Sequence, residues 1–264
     1  MRIRPRTPSP AALAVLVSLL ASAAAMAAFD IISVDEEWSM RGQLHAEVAQ
    51  KMPLVNDPAA LDYLNRLGRQ IAAQTPYGNR RWDFFIVRDD AVNAFNLPGG
   101  LVYVNSGLIK EARSLDELTG AMAHEIGHGA ARHGTQLMTK AYGYNLIARL
   151  AMGRHPGQGR QLLAGLVGNG ILNHYSRDAE RAADRLGVHY AYQSGYDPRG
   201  MLDLFADLQK LQGRQPLKVE QFFSNHPLTR ERIQNVSAEI ATLPRNAALT
   251  RDSRDYQQFR ARVH

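Results

Sequence analysis

The stretch AMAHEIGHGAARH, Ala121 to His133, decides how the rest of the chain is read. His124 and His128 are four residues apart, so on a helix they share one face a single turn apart, and both imidazoles can reach one ion. Glu125 lies about 100° further round such a helix, where it flanks the ion without binding it. That is the place for a base acting on a metal-bound water. The neighbours Ala121, Met122, Ala123, Ile126 and Gly127 are small or apolar, as on a buried helix.

A catalytic zinc takes three protein ligands and keeps a further position for water. The metzincin continuation would need glycine at Ala131 and histidine at Gly134, so that class is excluded. His133 is one residue out of register and reads as a helix C-terminal histidine favoured by the dipole. The other source is YSRDAERAADRLG, Tyr175 to Gly187, where Glu180 and Asp184 share a helical face. Glu180 can bind the metal while Asp184 accepts from the outer N–H of a ligand histidine, most simply His124. Taken alone, that segment with Arg177, Arg181 and Arg185 also fits a solvated charged face.

Working outward, 264 residues with 45% hydrophobic side chains suffice for a proper core, in one large domain or two small ones. Arg2, Arg4 and Arg6 precede a charge-free apolar run from Ala11 to Ala28. That run predicts a signal peptide over residues 1–28, cleaved near Ala27 or Ala28 after the Ala25-Met26-Ala27 pattern, followed by one domain over 29–264. Without any cysteine there is neither a lipid attachment site nor a disulfide. The formal charge of +6 falls to +3 once three arginines are removed (6 − 3), too little to argue for nucleic acid.

The remaining chain predicts an α+β, mainly helical fold. Helical spacing runs from about Asp35 to Gln74, with Asn56-Asp57-Pro58 as a start signal. RWDFFIVRDD (81–90) and GLVYVNSG (100–107), separated by AVNAFNLPG (91–99), predict a small antiparallel sheet beside the histidine helix. Ser114 and Glu117 have capping-box spacing, which predicts a helix from Leu115 to about His133, stopped at Gly134. Residues 141–173 predict two short helices, neither long enough to span a membrane. Further helices are expected at Arg177–Ser194, Pro198–Gln212 and Leu228–Thr242, and the tail after Pro244 is polar with a weak helical pattern. No internal repeat is present.

These residues resemble the HtpX-type gluzincin zinc metallopeptidases, peptidase family M48, and in particular their soluble exported bacterial members. The resemblance rests on NAFNLPGGLVYVNSGL (93–108), AHEIGHGAARH (123–133), YSRDAERAADRLG (175–187), GYDP (195–198) and NHPLTRERI (225–233). It implies a zincin-like endopeptidase with one Zn2+ held by His124, His128 and Glu180, and Glu125 as catalytic base. It aligns Asp184 with the family's metal-orienting aspartate, and NAFNLPGG with the strand beside the cleft. Many members carry glutamate where this chain has Ala182. The family's tetratricopeptide domain and long apolar spans are not found.

A His-Pro pair falls at His226-Pro227, and His226 is expected at the site, filling the open metal position or stabilising an oxyanion, with Arg230 one turn on. Substrate is expected to add as a strand near Asn96, Leu97, Pro98, Gly99 and Gly100. The resemblance implies proteolysis of unfolded or misassembled envelope proteins in the periplasm. The alternatives are a zinc-bound chaperone or assembly factor, and a latent enzyme covered by 141–173.

Overall fold

The computed structural model describes residues 32–143 and 175–263. The expected signal peptide and the expected helices of 141–173 lie outside the described residues, except for the last turn of the helix that ends at Tyr142.

Local signals start several helices. Before α1, Val34–Ser39, Ser33 and Glu36 form a complete capping box. The Glu36 amide donates to Ser33 Oγ at 3.2 Å and the Ser33 amide to the Glu36 carboxylate at 2.7 Å. After α2, Arg41–Lys51, comes α3, Pro58–Ala72, where Asp57 accepts from Ala59 and Ala60 ahead of proline, as expected. Its buried stripe Leu64, Leu67 and Ile71 faces the core, and α3 packs on the first strand.

The strands β1 (Asp83–Val87), β2 (Ala94–Leu97) and β3 (Leu101–Asn105) form the small sheet in the order β1-β3-β2. Its pairing is mixed rather than wholly antiparallel. β2 and β3 form an antiparallel hairpin with Leu97 opposite Leu101, whereas β1 runs parallel to β3 with Asp83 opposite Leu101. The chain crosses to the far edge for β2 and returns between the two, so β2 is an edge strand among the described residues. Gly99 and Gly100 make the turn with φ of +85° and +73°, conformations that side-chain-bearing residues rarely adopt.

Beyond α4 (Ser106–Glu111), α5 (Leu115–Ala130) is buried from Leu115 to Gly129. The capping box expected at its start is not formed. Glu117 reaches one residue further and accepts from the Arg113 amide at 2.7 Å, while the Ser114 hydroxyl donates to Asp116. The helix also stops earlier than expected. Arg132, not Gly134, adopts the left-handed conformation (φ 57°), and His133 begins α6, His133–Tyr142. The later helices are α7 (Arg177–Gln193), α8 (Arg199–Arg214), α9 (Pro216–Asn225), α10 (Arg230–Thr242) and α11 (Arg254–Arg262). α9 is absent from the sequence reading, and α11 forms in the tail after Pro244, where the sequence carries only a weak helical pattern. No helix of the described residues is long and apolar enough to cross a membrane.

Two glycines set the spacing of α5 and α7, the most extensively packed helix pair. A Cβ on Gly127 would lie 2.8 Å from the Ala183 carbonyl oxygen, and one on Gly187 would lie 3.0 Å from the His124 amide nitrogen. Only backbone fits there, so the two helices approach closely enough for short carboxylates on α7 to reach histidines on α5. Gly127→Ala is therefore expected to push the helices apart at a cost of about 1–3 kcal/mol, read as a lowered thermal unfolding midpoint.

Candidate active site

The close contact of α5 and α7 brings together the residues that the sequence singles out. His124 and His128 project from one face of α5, and Glu180 projects from the facing side of α7. His226, the residue after α9, completes the group. All four are buried, and one donor atom from each lies within 4.8 Å of the others.

Individual separations are more telling. His124 Nε2 is 3.1 Å from His128 Nε2, 3.3 Å from His226 Nδ1 and 3.5 Å from Glu180 Oε2. Glu180 Oε1 is 3.3 Å from His128 Nε2 and 3.1 Å from His226 Nδ1. Ligands on a tetrahedron at zinc distances of 2.0–2.1 Å have edges of about 3.3 Å, so the donor set fits a cation of that size. Ring nitrogens that face one another in a buried cluster present lone pairs to a common centre, which is what a divalent cation neutralises.

Around these donors the helices supply a supporting layer. Asp184 Oδ1 lies 2.9 Å from His124 Nδ1, the pairing expected from the four-residue spacing. Arg232 on α10 grips Asp184 through two bonds of 2.7 Å and also reaches Glu180 Oε2 at 2.7 Å. Burial opposes charge on the Asp184 carboxylate, but Arg232 and His124 hold its pKa below the ordinary value. Burial likewise disfavours the charged form of His124, yet Asp184 and Glu180 raise its pKa to about 10. Arg230, expected at the site, is instead exposed, and Arg232 occupies the place assigned to it.

Glu125 is buried beside the cluster, with Oε1 3.4 Å from His226 Nε2 and Oε2 without a hydrogen-bond partner among the described residues. Burial is the largest influence on its pKa and raises it, against the attraction of His226 and His124. The Asn96 main chain donates toward the same carboxylate.

The expected substrate edge divides in two. Asn96 and Leu97 lie on the edge strand β2, which packs beside α5. Pro98, Gly99 and Gly100 form the hairpin turn and are buried, with the Gly99 amide donating to Glu37 at 3.2 Å. The turn anchors the strand rather than extending its edge.

Two residues near the cluster escaped the sequence reading. Tyr175 stacks on His128 with ring centroids 3.9 Å apart, and its hydroxyl donates to Asn96 Oδ1 at 3.1 Å. His133, expected to be a helix-end residue facing the dipole, is buried with Nδ1 2.9 Å from His128 Nδ1. Beside Glu180, between Tyr175 and Pro227, opens a cavity of about 160 Å³.

A helix with two histidines and a glutamate, a carboxylate from a second helix and an edge strand alongside meet at one buried centre. The profile of Peptidase family M48 matches residues 58–240, and the chain belongs to that family. It is similar to the mitochondrial metalloendopeptidase OMA1 of Schizosaccharomyces pombe, at 30% identity over 212 residues, 79% of this chain and 62% of that protein. It is also similar to the beta-barrel assembly-enhancing protease of Escherichia coli K12, at 27% identity over 219 residues, 76% of this chain and 43% of that protein. Metalloprotease YcaL of Escherichia coli K12 is 32% identical over 155 residues, 57% of this chain and 59% of that protein. The chain thus spans about half the length of the curated relatives it matches.

Proposed function

We propose that this chain is a zinc-dependent endopeptidase that hydrolyses unfolded or misassembled proteins of the bacterial cell envelope. The observation that carries the reading is the convergence of donors from His124, His128, Glu180 and His226 within 4.8 Å, next to the buried carboxylate of Glu125. His124, His128 and Glu180 are the ligands, and two imidazoles with one carboxylate favour zinc over harder cations. Bound there, zinc supplies Lewis acidity and makes a water acidic enough to act as nucleophile near neutral pH.

The chain's own residues do the rest. Glu125 takes the proton of the attacking water and passes it to the departing amine. Asp184, held by Arg232, fixes the ring and tautomer of His124. His226 occupies a fourth corner of the donor set, so it holds that corner at rest and withdraws before turnover, becoming a donor to the substrate oxyanion. The edge strand β2, buried at Asn96 and Leu97 in this state, pairs with the main chain of an extended substrate once the Asn96 amide is released from Glu125, which demands no sequence and suits unfolded clients.

An envelope location draws on the arginine-led apolar segment of residues 1–28, read as an export signal that releases the chain into the periplasm. Relatives named for enhancing beta-barrel assembly point to clients in the same compartment. The test is digestion of unfolded casein by the zinc-loaded chain. Cleavage is expected to stop on chelation and return with added zinc. If neither the zinc-loaded chain nor its His226→Ala variant cuts casein, the peptidase reading fails in favour of a chaperone that holds clients without cutting them.

A further inference from the structure

We propose that His133 is a positioning residue of the metal site, accepting a hydrogen bond from His128 and thereby fixing that ligand's ring for the cation. The inference rests on the metal reading above and assigns a role to a residue outside its ligand set.

The tautomers follow from geometry. His128 Nε2 faces the cluster, 3.1 Å from His124 Nε2 and 3.3 Å from Glu180 Oε1, so its lone pair points to the shared centre. The proton of a neutral His128 ring then belongs on Nδ1. The hydrogen-bond partner of that nitrogen is His133 Nδ1, at 2.9 Å. His133 therefore accepts at Nδ1 and carries its own proton on Nε2, as a neutral imidazole. Both rings are buried, so an unpaired Nδ1–H there would forfeit a hydrogen bond in a medium that offers no replacement.

The fold holds His133 in place for this contact. Ala131 ends α5, Arg132 turns the chain in the left-handed conformation, and the ring of His133 comes back over the last turn of the helix that carries His128. Arg132 is itself fastened to Glu37 at 2.7 Å and to the carbonyl of Ile32. Tyr175 stacks on the face of His128 while His133 meets its edge at an interplanar angle of 71°, so two contacts fix the ring's plane and rotation.

The two histidine ligands are thus supported differently. His124 leans on the carboxylate of Asp184. His128 leans on an uncharged imidazole, which orients it without adding negative charge to the site. A cation there keeps more of its positive charge than it would between two carboxylate-backed imidazoles.

The test uses the full chain with His133→Met, whose thioether fills the space as only a weak acceptor, and His133→Gln, which supplies a carbonyl oxygen. Zinc affinity is read by competition with a chromophoric chelator, and the metal-free unfolding midpoint of each variant serves as the folding control. Met is expected to weaken zinc binding by about 10–100-fold while Gln retains most of the affinity. The Co2+-loaded Met variant is expected to show a shifted visible absorption spectrum. Equal affinities for wild type and Met overturn the inference, as do equal losses for Met and Gln, which would mark a packing role. If the wild-type chain binds no zinc, the metal reading itself falls and this inference with it; zinc bound by all three proteins alike overturns the inference alone.

Discussion

Glu125→Gln is expected to bind zinc as the wild type does and to cut casein about 10²–10⁴-fold more slowly. The amide has the shape of the carboxylate, so the buried space beside His226 stays filled and the donors on α5, α7 and after α9 are undisturbed. What is lost is the capacity to take a proton. Glu125 suits that task because its Oε2 is buried with no hydrogen-bond partner among the described residues, leaving an acceptor for a water. Cleavage rate and zinc content measured on one sample check it. A variant that loses less than tenfold would move the base to another group, and His226, whose Nε2 is 3.4 Å from Glu125, would be the first to examine.

The second large effect is on stability. Glu37 and Arg132 form a buried ion pair at 2.7 Å that joins α1 to the turn after α5, and Glu37 also accepts from the amide of Gly99. Glu37→Leu takes a buried carboxylate from the Arg132 guanidinium and an acceptor from the Gly99 amide, at a cost of about 3–5 kcal/mol. For a chain of this size the thermal midpoint is expected to fall by roughly 10 °C. If Glu37→Leu alone leaves the midpoint unchanged, the pair contributes nothing, and the left-handed turn before His133 is held by something else.

The site was legible where it depends on helix periodicity. His124 and His128, and Glu180 and Asp184, each lie four residues apart on long helices, so each pair shares a face whatever the tertiary structure. Reading failed where the chain leaves a helix. Arg230 was placed one turn from His226, but Pro227 to Thr229 are not helical, so that spacing carries no meaning; α10 begins at Arg230 with Thr229 as its cap. Arg230 and Arg232 then lie about 200° apart round the helix, one outward and one inward.

His133 was missed for a related reason. Gly134 is the obvious residue for a left-handed stop, yet Arg132 takes that conformation while bonded to a glutamate 95 positions away. A contact of that range leaves no local mark. The mixed sheet is similar: Pro98-Gly99-Gly100 marks the β2–β3 hairpin, but nothing local announces that β3 inserts beside β1. By contrast, α9 and α11 carried readable signals in Pro216 at the first turn and in Ser253, which caps Tyr256.

The most direct test of the central claim is elemental analysis of the purified chain, dialysed free of loosely bound metal, alongside Glu180→Ala. One zinc per wild-type chain, and well under one in the folded variant, is the predicted result. A folded wild-type chain that takes up no zinc, or a Glu180→Ala variant that retains it in full, would contradict the account.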